Sequence, residues 1–493
     1  MKLAAVSALL AVCQACTQLH GAVPAGAAIT APAAPATKSI RQWVTCDGRA
    51  DDTAAAAKAF SAARRHAFTL LVDCPVRLHV GSDIGRPVFI EDGTSVTFSG
   101  SGEFIIDNVL QPAFVIANSA DITLTGWSIR YVGSLPVDPD TRGFEQGGQF
   151  VARAGHFQPA AAFNDMQLSA WLTRNRGVAF DQGQGHVSAV WAGPTNTSSL
   201  FFVTGDVARL RVTGMKLYVP ADVNADRFIP MAFSFSKNYR GNQVVTAKTP
   251  LTAQYVAVPH DLTFSDIDLD GTYMGWQGNL QDATFVHIRS HRYADLQDKD
   301  GGQVGGTGKW FAPPHLFYLN YAKDGDPALF DRRITLRDVI DSGPRIGQAR
   351  DRGDGGSLSG YATSLKIGGM DIVVDQYRST RPDGFLDLLA SDGVRISNVV
   401  ATYDSSFVHD LYPGWRFPDS PYRNVTIENV VLTDLAAKTV QRPIGNSGNT
   451  SNDHVVLRNI EVRMNHWDGG GSPQPAIAGQ HNEVSIRFTG GQQ

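Results

Sequence analysis

Strong net charge, a long apolar run and a rich set of cysteines are all missing from this chain. Forty-three lysines and arginines stand against 47 aspartates and glutamates, a formal net charge of -4. That balance excludes a global electrostatic argument for nucleic acid or a membrane surface, so a charged ligand must be met by a local patch. The longest N-terminal apolar run, Leu3 to Val12, is too short to span a bilayer. Four cysteines among 493 residues exclude a disulfide-dense scaffold. Two of them, Cys13 and Cys16, fall in the first twenty residues; Cys46 and Cys74 stand at the start of the folded part. No further cysteine and no histidine at ligand spacing accompanies the second pair, so a disulfide is expected there rather than a metal.

What is present begins with MKLAAVSALLAVCQACTQLHG: a lysine, an apolar stretch and small residues, the layout of a bacterial export signal over residues 1 to 20. Two processing routes are open, lipidation of Cys16 or ordinary cleavage near Ala25, Gly26 and Ala27. Either route takes the mature protein out of the cytoplasm to the periplasm, an outer-membrane anchor or the medium. Residues 21 to 38, GAVPAGAAITAPAAPATK, read as a semi-extended tether. Residues 39 to 493 are expected to form one domain and a monomer.

With 43% hydrophobic residues and 49 glycines the chain can bury a large β-type core. One pattern recurs from about residue 95: alternating apolar positions, a turn residue, then alternation again. It is read in ITLTGWSI, LRVTGMKL, LTFSDIDL, ITLRDVID, LKIGGMDI, VRISNVVA, VTIENVVL and VVLRNIEV. The fifth position is Gly126, Gly214, Asp266, Asp338, Gly369, Asn398, Asn429 or Asn459, residue types that tolerate a bent or left-handed backbone. From Asp338 onward these positions are 31, 29, 31 and 30 residues apart. That spacing suits the coil of a right-handed parallel β-helix, a solenoid whose stacked coils share one core. A β-sandwich is the alternative, since it too has short alternating strands. Larger gaps between the early turn positions predict long lateral loops, where solenoids tend to carry their binding surface.

CDGRADDTAAAAKAFSAARR, residues 46 to 65, resembles the N-terminal signature of the pectate lyase superfamily: an Asp-Gly turn, then Asp-Asp-Thr and an alanine-rich helix. The resemblance implies a right-handed parallel β-helix with an N-terminal capping helix, and says little about activity. Asp51 or Asp52 is expected to cap that helix, with Ala56, Ala59 and Phe60 as its apolar face. The polygalacturonase branch of the superfamily carries Asn-Thr-Asp, Asp-Asp, Gly-His-Gly and Arg-Ile-Lys motifs. In RPDGFLDLLASDGVRISNVVATYD, Asp383, Gly384 and Asp387 echo the first and Asp404 stands near the second, but no Gly-His-Gly follows before His409. That catalytic set is not reproduced, and polygalacturonase activity is not transferred.

The densest chemistry lies in FVHIRSHRYADLQDKDGG, residues 285 to 302. Aligned to the repeat, His287 takes the turn position, Phe285 and Ile288 point inward, and Arg289 and His291 point outward. Arg292 and Tyr293 follow at the bend, and KWFAPPHLFYLNY adds Lys309, Trp310, His315 and Tyr318. Cations and aromatics together suit an acidic sugar chain. In β-elimination a cation neutralises the uronate carboxylate and a base takes the adjacent proton. Arg289, Arg292 or Lys299 is a candidate neutraliser; His291, His315 or Tyr293 is a candidate base or acid, histidine needing the smallest adjustment at neutral pH. Hydrolysis by an aspartate pair drawn from Asp295, Asp298 and Asp300 is the alternative. DKDGG lacks the fuller spacing of a calcium loop, so no metal or cofactor is expected, with Ca²⁺ the one ion the run brings to mind. A bare surface turn is the plain reading of the same residues. The sequence thus points to an exported enzyme acting on a polysaccharide, a lyase first and a glycoside hydrolase second, with a non-catalytic glycan-binding protein as a third reading.

Overall fold

A computed structural model of the chain describes residues 35–79, 88–91, 93–106, 113–132, 144–146, 149–151, 199–219, 231–236, 239–240, 243–244, 258–272, 274–291, 315–319, 330–343, 363–382, 384–405, 415–416, 420–439 and 442–491. The unit Thr37–Gln493 is nearly all β. Among the described residues, every pairing between strands is parallel apart from two small antiparallel hairpins. Parallel strands must be joined by crossovers rather than hairpins, and here each strand lies on its counterpart from the preceding tier.

Two kinds of strand alternate along the chain. Long bent strands form one ladder: His260–Asp270, Gln281–His291, Arg332–Ser342, the second half of Thr363–Ser379, Arg395–Tyr403, Tyr422–Asp434 and Asp453–His466. Shorter strands form a second, straight ladder: Ser199–Thr204, Met231–Ser236, Met274–Gly278, Phe317–Leu319, the first half of Thr363–Ser379, Gly384–Asp392 and Trp415–Arg416. Alternation puts every second residue into a shared core. On the straight ladder the inward row is Phe114, Phe201, Phe233, Trp276 and Phe317, whose rings stack at 4.9, 4.7, 5.9 and 4.8 Å, close to the strand spacing itself.

The bent strands kink at left-handed residues that stack in two columns five positions apart. In one column lie Ser95, Asp121, Arg209, Asp261, Asp282, Arg333, Asp371, Gly393, Asn424, His454 and His481; in the other, Gly126, Gly214, Asp266, His287, Asp338, Gln376, Asn398, Asn429 and Asn459. Stacking lets the side chains clasp one tier to the next. Asp121 pairs with Arg209, and Asp282 with Arg333. Asn459 donates to Asn429 at 2.6 Å and Asn429 to Asn398 at 3.2 Å.

The expected position of Gly369 in this repeat is corrected. Val339 pairs with Tyr377 and Tyr377 with Val399, so Gln376, not Gly369, is the turn residue of that tier. Gly369 is instead the joint where the chain passes from the straight to the bent ladder. A Cβ there would lie 2.1 Å from the Asp331 carbonyl oxygen, as one at Gly278 would lie 2.0 Å from that of Phe235. The two glycines thus serve one close approach of backbone to backbone.

The helix Thr53–His66 buries Ala56, Ala59, Phe60 and Ala63, and the Phe60 ring stacks on Phe98 at 4.5 Å. Its cap is divided. Asp51 accepts from the Thr53 amide at 3.0 Å, whereas Asp52 at the N-cap position reaches back to Thr45. Cys46 and Cys74 form the expected disulfide.

Candidate functional site

His287 sits at a left-handed turn position as the sequence repeat predicts, with Phe285 and Ile288 buried beside it. Its Nδ1 lies 3.1 Å from Asp266 and its Nε2 3.8 Å from Asp338, the residues above and below it in the column. Arg289 is held by the same tier: its guanidinium lies 2.8 Å from the Asp338 carboxylate and donates to the Asp338 carbonyl at 2.7 Å. That pairing, by hydrogen bond and charge, holds the Asp338 carboxyl below the usual carboxylate range. His291 is exposed, with Nδ1 3.3 Å from Ser342 Oγ. His287 and Arg289 therefore serve clasps between tiers, the role that aspartates, arginines and asparagines have elsewhere in the columns.

The residues expected to share this face divide between the ladders. His287, Arg289 and His291 belong to the bent ladder, whereas His315 and Tyr318 stand just before and within the strand Phe317–Leu319 of the straight one. His315 is buried, its Nδ1 2.8 Å from the Thr363 carbonyl oxygen and 3.3 Å from the Thr363 amide nitrogen, contacts that orient the ring. An exposed general base is a different environment from this one. Arg292, Tyr293, Asp295, Asp298, Lys299, Asp300, Lys309 and Trp310, and with them the calcium reading of DKDGG, lie outside the described residues, as does Cys16.

The straight ladder carries a different concentration of chemistry. Behind its aromatic core row, the outward row includes Ser234, Gln277, Tyr318, Lys366 and Asp387, one residue per tier in direct register, with Phe202 and Arg416 flanking them. At the usual strand spacing these five span about 19 Å. Lys366 Nζ lies 4.8 Å above the Tyr318 ring and 3.4 Å from Asp387 Oδ2. Asp387 is buried, Lys366 and Tyr318 half-buried, and the His315 ring meets the Tyr318 ring edge-on at 5.4 Å. An aromatic face, an ammonium and a carboxylate are thus fixed in one line on a rigid sheet. An ammonium over a ring and beside a carboxylate is electrostatically favoured on both sides.

Of this row, the sequence reading reached Tyr318 and noted Asp387 as an echo of a known motif. It missed Lys366, because LKIGGMDI was placed on the bent ladder. The available signal was the second glycine of Gly368-Gly369, which marks a joint rather than a turn.

No family model matches the chain, and no curated protein matches it. Solved structures do. An exopolygalacturonase from Thermotoga maritima is 11% identical, with 92% of this chain and 91% of that one covered and a TM-score of 0.40. PfbA, a surface adhesin of Streptococcus pneumoniae, is 10% identical over 92% and 93%, TM-score 0.39. The mannuronan C-5 epimerase AlgE6 A-module of Azotobacter vinelandii is 11% identical over 92% and 100%, TM-score 0.37. At this identity and these TM-scores, neither their activities nor their site residues carry over.

Proposed function

We propose that the chain is an exported enzyme that cleaves an acidic polysaccharide by β-elimination, on a right-handed parallel β-helix closed at one end by the helix Thr53–His66. The observation that supports this most is the outward row Tyr318, Lys366 and Asp387 on the straight ladder. A glycan lying along the row presents a sugar face to Tyr318 and a uronate carboxylate to Lys366. Neutralising that carboxylate acidifies the neighbouring C–H, which is the main barrier to elimination. Asp387, buried beside Lys366, positions the ammonium. The Tyr318 hydroxyl is the group of this row suited to moving the proton, its ring held by Lys366 and by His315.

Hydrolysis is the second reading, and Asp387 is the observation in its favour. A two-carboxylate mechanism needs a partner acid. Among the described residues of the row Asp387 is the one carboxylate, which favours elimination. In this reading the signal over residues 1 to 20 directs export, Cys16 is a candidate lipidation point, and the enzyme acts as a monomer.

The test is to incubate the mature protein with a panel of acidic and neutral polysaccharides and follow ultraviolet absorbance and reducing ends together. Absorbance from unsaturated ends is the expected result. Reducing ends without absorbance replace elimination by hydrolysis, and retention of a glycan without either signal leaves a binding protein.

A further inference from the structure

At the last two tiers the first turn column changes character. His454 and His481 occupy consecutive left-handed positions, φ 54° each, where earlier tiers carry serine, aspartate, arginine, glycine or asparagine. Their rings stack at 4.8 Å with an interplanar angle of 28°. Both turn Nδ1 toward a single oxygen, Asp453 Oδ1, at 2.9 Å from His454 and 2.8 Å from His481. Among the described residues this is the one group of three potential ligand side chains whose donor atoms lie within 4.8 Å of one another.

We propose that Asp453, His454 and His481 form a binding site for a divalent transition ion of the Zn²⁺ class, which joins the last tier to the one before it. Two imidazole nitrogens and one carboxylate oxygen are a borderline donor set; Ca²⁺ and Mg²⁺ prefer oxygens alone. Zinc bonds of 2.0 to 2.2 Å in a tetrahedron place ligand atoms about 3.3 Å apart. The present separations from Asp453 Oδ1, 2.9 and 2.8 Å, lie close to that value. All three side chains reach solvent, so a water completes the coordination.

The location gives the ion a task. Among the described residues the strand Glu483–Gly491 pairs only with Asp453–His466, and that pairing is interrupted between Leu457 and Ile460 and again between Arg463 and His466. His481 stands two residues before that strand. A metal bond there ties this interrupted ladder to its neighbour.

The experiment uses the full-length mature protein without a histidine tag, titrated with ZnCl₂ by calorimetry, with CaCl₂ as the comparison ion. The substitutions His454→Asn and His481→Asn keep a residue type the column already accepts at Asn424, φ 50°. One Zn²⁺ per chain is expected, with no Ca²⁺ bound at this stoichiometry. Each variant should lower the affinity at least tenfold, and Zn²⁺ should raise the melting temperature of the parent but not of H481N. The proposal is overturned if the parent shows no saturable Zn²⁺ binding, or if both variants, folded by circular dichroism, bind it as the parent does.

Discussion

Replacing Lys366 by methionine removes the ammonium while keeping most of the side-chain volume. If a uronate carboxylate approaches Nζ as closely as Asp387 does, at 3.4 Å, the Coulomb term at an effective dielectric of 20 is about 5 kcal/mol. Competition from Asp387 reduces this, and about 4 kcal/mol corresponds to a loss of roughly 10³-fold in kcat/KM. The same change leaves the Asp387 carboxylate, 2% exposed, without this cation. Stripping one partner from a buried pair costs roughly 3 kcal/mol or more, so K366M alone confounds folding with chemistry. The double variant K366M/D387N separates them, because it also removes the stranded charge. Its melting temperature should recover most of what K366M loses, while its activity, followed as ultraviolet absorbance on an acidic polysaccharide, stays down. A folded double variant that keeps more than a tenth of the parent kcat/KM would falsify the assignment of Lys366 as the neutralising group.

The turn column offers a converse experiment. His287→Asn places in the column a residue it already accepts three times, and neither it nor His291→Ala should change kcat/KM by more than about twofold; a loss of 10²-fold in either returns the active centre to the bent ladder. Removing the disulfide with C46A/C74A opens a crosslink between residues 28 apart. Loop entropy puts the cost at about 3.5 kcal/mol, read as a lower melting temperature that the parent reproduces only under reducing conditions. Acid should loosen the clasps between tiers. Arg463 and Arg487, by hydrogen bonds and charge, hold the Glu461 carboxyl at about 2, below its ordinary 4.5, and Arg333 likewise lowers Asp282. A depressed carboxylate contributes stability that is complete above its unfolded pKa and lost as pH falls through the folded one. The melting temperature should therefore decline from about pH 4.5 toward pH 2, and R463A/R487A should flatten that decline; a decline of unchanged steepness contradicts it.

The periodic part of this protein was readable from its residues alone. Those in the bent strands alternate because one face of each is buried, and the kink between them demands a left-handed backbone, which Gly, Asn and Asp adopt at low cost. His287 was legible for that reason, as a departure at a known position, and so were the helix Thr53–His66 and the Cys46–Cys74 pair. Which ladder each stretch joins was settled by the folded chain and by nothing short of it. Gln277, Tyr318, Lys366 and Asp387 follow one another at 41, 48 and 21 residues, with no period to read, yet backbone hydrogen bonding sets them on adjacent strands. Parallel pairing fixes register tier by tier whatever length of chain intervenes, so the row survives insertions that erase it from the sequence. The same indifference to spacing let Gly369 stand 31 residues after Asp338 and mimic a turn, when the backbone had placed that turn at Gln376.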